Sequence, residues 1–367
     1  MFGIAVYPYK EVQEETVDYI KTAAKYGFER VFTNLLMIEP GEEKQVIERL
    51  ETIIKEARKC RMEVILDVNP AVFEQLGISH HDLTFFKKMG ATGIRLDSSF
   101  DGLVESLLTF DETGLDLEIN ISNDTYYLEN ILSYQPNAKR LIGCHNFYPQ
   151  RFTGLDYEYF MKCSAKYKKL GLRTAAFINS QTADHGPHCY TDGLCTLEQH
   201  RDLPIELQAK HLVATNLIDD IIIANAFASE EELAALSALC TDQIVLDVEF
   251  SSNTTGLEKE ILLDNQHFNR GDINRFSIRS TFVKLRYQDQ DIPENNAKEK
   301  VSYAEITLGN NSFGQYKGEI NIVKQGMPNE RREKNVIGKI TKSDQFLIDY
   351  IQPWTKFRFR EVKKVNE

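Results

Sequence analysis

No stretch of about 18 consecutive apolar residues occurs in the 367-residue sequence, which excludes a membrane-spanning helix. Positive charge is in deficit. Against 55 Asp and Glu stand 43 Lys and Arg, a formal net charge of −12. Nucleic acid and anionic membrane surfaces need a net basic face and are not expected as partners; a small anionic ligand needs only a local cluster of donors. Cysteine is sparse: Cys60, Cys144, Cys163, Cys189, Cys195 and Cys240 are scattered without a framework of regular spacings. Free thiols in a reducing compartment are expected. The opening Met1-Phe2-Gly3-Ile4-Ala5-Val6-Tyr7-Pro8 has neither a basic leader nor an extended apolar segment and reads as a first strand, so a cytoplasmic location is expected. No Gly-x-Gly-x-x-Gly follows that strand, which removes the main support for a dinucleotide-binding fold.

What is present is a regular alternation. Strand-like runs at residues 3–7, 30–34, 63–69, 93–97, 117–121, 141–146, 172–179 and 219–225 alternate with helix-like segments, among them 12–26, 42–61 and 230–240. Alternating β and α implies a parallel sheet, and eight units favour a closed (β/α)8 TIM barrel over an open sheet. After about residue 241 short strand-like runs are punctuated by Gly, Asn and Pro, and a small antiparallel barrel or sandwich is expected. The predicted division is 1–242 for the barrel and 243–367 for a β-rich domain.

Catalytic groups of such barrels come from the C-terminal ends of the strands. Those ends carry Asn34, Asp67 with Asn69, Asp97, Glu118 with Asn120, His145 with Asn146, Asn179 and Asn225. Carboxylates and amides at so many successive ends are hard to explain as packing. Singly, each has a plainer reading. Asp67 before Asn69-Pro70 fits a helix cap as well as a catalytic acid. Asp97 is followed by Ser98-Ser99, which can take the capping role themselves. Glu118 and Asn120 share one face of their strand, either the barrel mouth or the outer wall. Paired carboxylates around a cavity suit glycoside hydrolysis, whereas the separation that decides between retention and inversion is not legible in sequence. The same constellation also serves phosphosugar or amino-acid isomerases and racemases; a pyridoxal version lacks a lysine at the strand ends. A non-enzymatic carbohydrate-binding protein is the remaining alternative. The polar loop 179–193, with His185, His188, Cys189 and later Cys195, invites a zinc reading, but the spacing matches no pair of ligand knuckles. Cys144 next to His145 is expected to be a buried structural thiol, since adjacent strand residues face opposite ways.

Several segments are recognisable. Asp67-Val68-Asn69-Pro70, Arg95-Leu96-Asp97, Glu118-Ile119-Asn120-Ile121-Ser122-Asn123 and His145-Asn146-Phe147-Tyr148-Pro149 resemble the bacterial 6-phospho-N-acetylmuramidases. So do the segment from Gly193 to Arg201, His267-Phe268-Asn269-Arg270-Gly271-Asp272, Ile278-Arg279-Ser280 and Tyr316-Lys317-Gly318-Glu319-Ile320. Cys195 departs from the family's usual Pro, and Ile121 from its usual Ala. The resemblance implies a TIM barrel joined to a cyclophilin-like domain, and hydrolysis of the β-1,4 bond between N-acetylmuramic acid 6-phosphate and N-acetylglucosamine. It implies no metal or organic cofactor, and a phosphorylated amino-sugar disaccharide as the small-molecule partner in cell-wall sugar recycling. On this basis Asp97 and Glu118 are expected to flank the scissile bond, with Asp67 the main substitute for either. Asn120, His145, Asn146, Tyr148 and Asn179 are expected to hold the sugar. Arg151, Arg201, Arg270, Arg275 and Arg279 are candidate anion contacts, because guanidinium forks bind phosphate or carboxylate bidentately. Arg201, Arg270 and Arg279 are preferred among them, with Arg270 reaching over the barrel mouth.

Overall fold

The computed structural model describes residues 1–9, 11–36, 38, 41–187 and 192–362. The chain forms two compact units, Met1–Ala238 and Leu239–Glu367. In the first, strands β1 (Phe2–Ala5), β2 (Arg30–Asn34), β3 (Glu63–Val68), β4 (Gly93–Leu96), β5 (Asp116–Asn120), β6 (Leu141–Cys144), β7 (Arg173–Ile178) and β8 (Asp220–Ile223) pair in sequence order. Every pairing is parallel, and β8 returns to β1, which closes the barrel as the alternation predicts. Most strand residues are buried, as they must be when helices cover the outer face and side chains fill the interior.

Pleating sends alternate residues inward. Register partners on neighbouring strands face the same side: Asn34 pairs with Asp67, Asp67 with Arg95, and Arg95 with Glu118, so all four point inward, at heights staggered by the strand tilt. Lower in the barrel, Arg30 donates to Asp220 at 2.6 Å and to Glu118, while Arg173 contacts Asp220 at 2.8 Å. Above this charged layer an apolar one contains Phe32, Cys144, Ala175, Phe177 and Ile222. Ionic groups so deep require charged partners, because each unpaired charge costs several kcal/mol.

Local caps free particular strand-end residues. Asn69 caps the helix Pro70–Gln75, its Oδ1 accepting from Val72 N at 3.0 Å, so the capping alternative for Asp67 is taken by its neighbour. Beyond Asp97, the caps expected from Ser98-Ser99 fall elsewhere. The helix Leu103–Leu108 begins later, and its first turn is held by Asp101, which accepts from Val104 N, and by Glu105, which accepts from Phe100 N and Gly102 N. The outcome for Asp97 is the same: no helix needs it.

In the second unit a seven-stranded sheet has the order β10-β17-β9-β16-β13-β14-β11, built from β9 (Ile244–Phe250), β10 (His267–Phe268), β11 (Ser277–Ser280), β13 (Glu305–Gly309), β14 (Ile320–Val323), β16 (Lys334–Ile340) and β17 (Lys356–Glu361). The short β12 (Lys300–Val301) and β15 (Met327–Pro328) pair separately. The unit is β-rich as expected. The expectation of an antiparallel barrel or sandwich needs correction, since β17, one strand in from the edge, runs parallel to β9 and makes the sheet mixed. Strand direction leaves no mark in a short alternating run, so only the tertiary structure could decide it.

Among the described residues no helix is long and apolar enough to cross a membrane. The described cysteines are free; Cys189 lies outside the described residues.

Candidate active site

The barrel mouth holds a cavity of about 180 Å³, lined by Asn34, Asp67, Arg95, Asp97 and Asn146 on its polar side. Phe32, Phe147 and Phe177 form an aromatic wall, their rings in mutual edge-on contact with centroids 5.1–6.4 Å apart.

Arg95 organises the polar side. It is buried, and its Nη1 donates to Asp67 Oδ1 at 2.6 Å and to Asp97 Oδ1 at 3.2 Å, while Nη2 donates to Asn146 Oδ1. The two Asp oxygens share one nitrogen, so they stand closer than the sum of those two distances. Their surroundings differ. Asp67 is buried, whereas the Asp97 side chain is 42% exposed. Burial pushes the Asp67 carboxyl up to about 7; the Arg95 guanidinium opposes this, and the neighbouring Asp97 and Glu118 carboxylates add to it. Burial prevails because removing a carboxylate from water outweighs one ion pair shared with a second acid. Asn34 Oδ1 is buried with no hydrogen-bond partner among the described residues.

Glu118, expected beside Asp97 at the rim, lies a layer below. It is fully buried on Arg30, with Arg95 Nε 3.9 Å away, and does not line the cavity. The inner-face reading of its strand holds, but the position is two residues short of the mouth. Glu118→Ala is therefore expected to lower stability by roughly 3–5 kcal/mol, the usual cost of leaving a buried ion-pair partner uncompensated. Urea unfolding of the variant measures it, and a loss below about 1 kcal/mol would contradict the buried-pair account.

The other predicted residues separate into two groups. Only Asn146 joins Asp67 and Asp97 at the cavity. His145 points outward, stacked on Phe160 at 4.6 Å, with its Nε2 2.8 Å from Ser164 Oγ; burial brings its pKa down to about 3, so it is neutral at physiological pH. Asn120 closes a turn by accepting from Ser122 N at 2.9 Å. Asn179 holds the loop after β7, accepting from Leu194 N at 2.7 Å beside Gly193, whose φ of +85° suits glycine. Arg201 is a latch for the same loops: it donates to the carbonyls of Tyr148, Asp192 and Gly193 and pairs with Glu198. Tyr148 is half-buried and bridged through its backbone to Cys195. In the second unit Arg270 pairs with Asp272 and Arg279 with Glu319. Arg151 is taken by Asp192 and Asp202. Cys144 is buried in the barrel interior, and its thiol pKa is raised by that burial. Of the residues weighed for zinc, His188 and Cys189 lie outside the described residues, and no metal-binding group of three or more His, Cys, Asp or Glu occurs among the described ones.

Arg95 and Asn34 are site residues to which the sequence reading assigned no role: Asn34 stood among the polar strand ends, and Arg95 appeared only within a motif. A signal for both existed. Arg95 stands two residues before Asp97 on the same strand face, and Asn34 ends the strand next to Asp67.

Comparisons with known proteins bear on the whole chain. The sequence profile described as 6-phospho-N-acetylmuramidase, N-terminal, matches residues 2–238, and the one described as 6-phospho-N-acetylmuramidase, C-terminal, matches residues 244–360. No curated protein sequence matches. A crystal structure of "an uncharacterized B. cereus protein" is 48% identical, covers 98% of this chain and 99% of its own, and superposes with a TM-score of 0.86. A "conserved protein from locus in Enterococcus faecalis with an unknown function" is 25% identical with a TM-score of 0.66, covering 98% and 96%.

Proposed function

The chain belongs to the 6-phospho-N-acetylmuramidase family, and from that premise we propose that it hydrolyses the β-1,4 bond of N-acetylmuramic acid 6-phosphate–N-acetylglucosamine, with Asp67 and Asp97 as its catalytic pair. The observation that carries the reading is the pair itself: two carboxyl groups at one cavity, bridged by Arg95 and held in unlike environments.

Unlike environments divide the roles. A glycosidase needs one carboxyl protonated near neutral pH and one ionised. Asp67, buried and raised to about 7, keeps a proton to give. Asp97, solvated and paired with Arg95, serves as the carboxylate. In the first step Asp67 donates its proton to the glycosidic oxygen as the bond to C1 of the muramic acid breaks. N-acetylglucosamine leaves with a free hydroxyl, and an Asp97 oxygen bonds to C1. In the second step water attacks C1, its proton passes to Asp67, and Asp97 is released. The shared Arg95 nitrogen supports this covalent route, because it keeps the nearest oxygens below the roughly 6.5–9.5 Å at which inverting carboxyl pairs stand. Asn34 and Asn146 supply amide groups for sugar hydroxyls or the acetamido group, and the aromatic wall packs against the ring. The setting we propose is the cytoplasm, in the recycling of cell-wall sugars.

The test is one incubation with the phosphorylated muramyl disaccharide. Release of N-acetylglucosamine is expected, and proton NMR at early times should show the β-anomer of the phosphorylated muramic acid before mutarotation. No release defeats the assigned reaction; first appearance of the α-anomer defeats the covalent route alone.

A further inference from the structure

The second unit has a cavity of its own, about 790 Å³ in volume and lined only by residues of that unit. Phe276, Phe313 and Met327 give it apolar walls, and Arg279, Glu319 and Lys334 bring charge to it. The arginine is already committed. Arg279 donates through Nε and Nη2 to the two oxygens of Glu319 at 2.9 and 3.1 Å, so both groups are neutralised in place. The nearby Asp272 is held in the same bidentate way by Arg270. Lys334 is different. Its ammonium lies 5.4 Å from the centroid of the Phe313 ring and has no carboxylate within 4 Å among the described residues.

A half-buried ammonium with only a ring face for company is poorly compensated, since a cation–π contact returns about 1 kcal/mol and desolvation removes more. Its pKa is lowered by that burial, although Glu319 and Glu333 act against the shift. An entering anion would supply the missing partner. The surroundings set its charge. With both arginines committed to Glu319 and Asp272, the one unpaired cation suits a monoanion, whereas a phosphate dianion would keep a charge without a partner. The walls set its body, which must be apolar or aromatic.

We propose that this cavity binds a small amphipathic carboxylate, with the acid on Lys334 Nζ and an apolar body against Phe276, Phe313 and Met327. The site is independent of the sugar hydrolysis assigned to the barrel. Its chemistry is shared by free small acids and by the carboxyl terminus of a short peptide ending in an apolar residue.

Hydrocinnamate, its neutral amide, and the dipeptide acetyl-Ala-Phe serve as probes, titrated into the full chain by ligand-observed NMR. Hydrocinnamate or the dipeptide should bind in the millimolar range or tighter, the amide about tenfold more weakly, and K334Q should lose a similar factor for the acids. The Phe313→Ala variant should weaken acid and amide alike, which separates the wall from the charge. Tighter binding by the dipeptide assigns a peptide terminus, and tighter binding by hydrocinnamate a free acid. No binding by either acid, or equal binding of acid and amide by the wild-type protein, overturns the assignment. The acid–amide comparison needs no variant, so it decides the matter even if K334Q fails to fold.

Discussion

Asp67→Asn is expected to lower kcat for the phosphorylated disaccharide by about 10²–10⁴-fold, the range that a positioned general acid supplies. The variant keeps the shape and the hydrogen bond to Arg95 but has no proton to give to the leaving oxygen. The pH profile follows from the same group. With its pKa up at about 7, Asp67 is protonated below that value and loses its proton above it. Wild-type kcat should therefore fall on the alkaline side, by about tenfold per pH unit well past the pKa, and that limb should vanish in Asp67→Asn. Leaving-group dependence separates this role from a structural one. A dinitrophenyl glycoside needs no protonation to depart, so its first step should survive the substitution nearly intact. Equal loss on both substrates, or an unchanged alkaline limb, would remove Asp67 as the acid.

Asp97→Gly should be more damaging still, because the covalent step loses its nucleophile and not merely an assistant. A loss of at least about 10³-fold is expected, within the range seen when a charge acting on the reacting centre is deleted. Added azide gives the decisive readout. In the space vacated by the carboxylate, azide can attack C1 from the same side, displace the sugar leaving group and yield an α-glycosyl azide. In Asp67→Asn the nucleophile persists, so azide would intercept the covalent intermediate instead and give the β-azide. The anomeric coupling constant of the product distinguishes the two. A β-azide from Asp97→Gly, or near-wild-type hydrolysis by it, would exchange or cancel the roles. Arg95 links both predictions, because its bonds to Asp67 and Asp97 fix the acids relative to each other.

The B. cereus relative, 48% identical over nearly the whole length of both chains, shows that the two-unit architecture is shared beyond this sequence. Function still rests on the site, since barrels of this kind carry many chemistries.

The sequence by itself determined the order of the strands and the closure of the barrel, because hydrophobic alternation and helix spacing are local and repeat eight times. It also determined that Asp67, Asp97 and Asn146 stand at strand ends, and motif resemblance carried the family. It could not rank Asp67 against Glu118. Both are inward-facing acids, on β3 and β5 with β4 between them, and what separates them is height in the barrel: one reaches the cavity, the other meets Arg30 a layer below. Nor could it foresee that His145 turns outward to Ser164, that Arg201 spends its donors on loop carbonyls, or that β17 runs parallel to β9. Those outcomes depend on partners from 8 to 113 residues apart in the chain, and on shear between strands. Charge pairing in a buried interior is decided by which groups the closed cylinder brings into contact, and only the assembled tertiary structure fixes that.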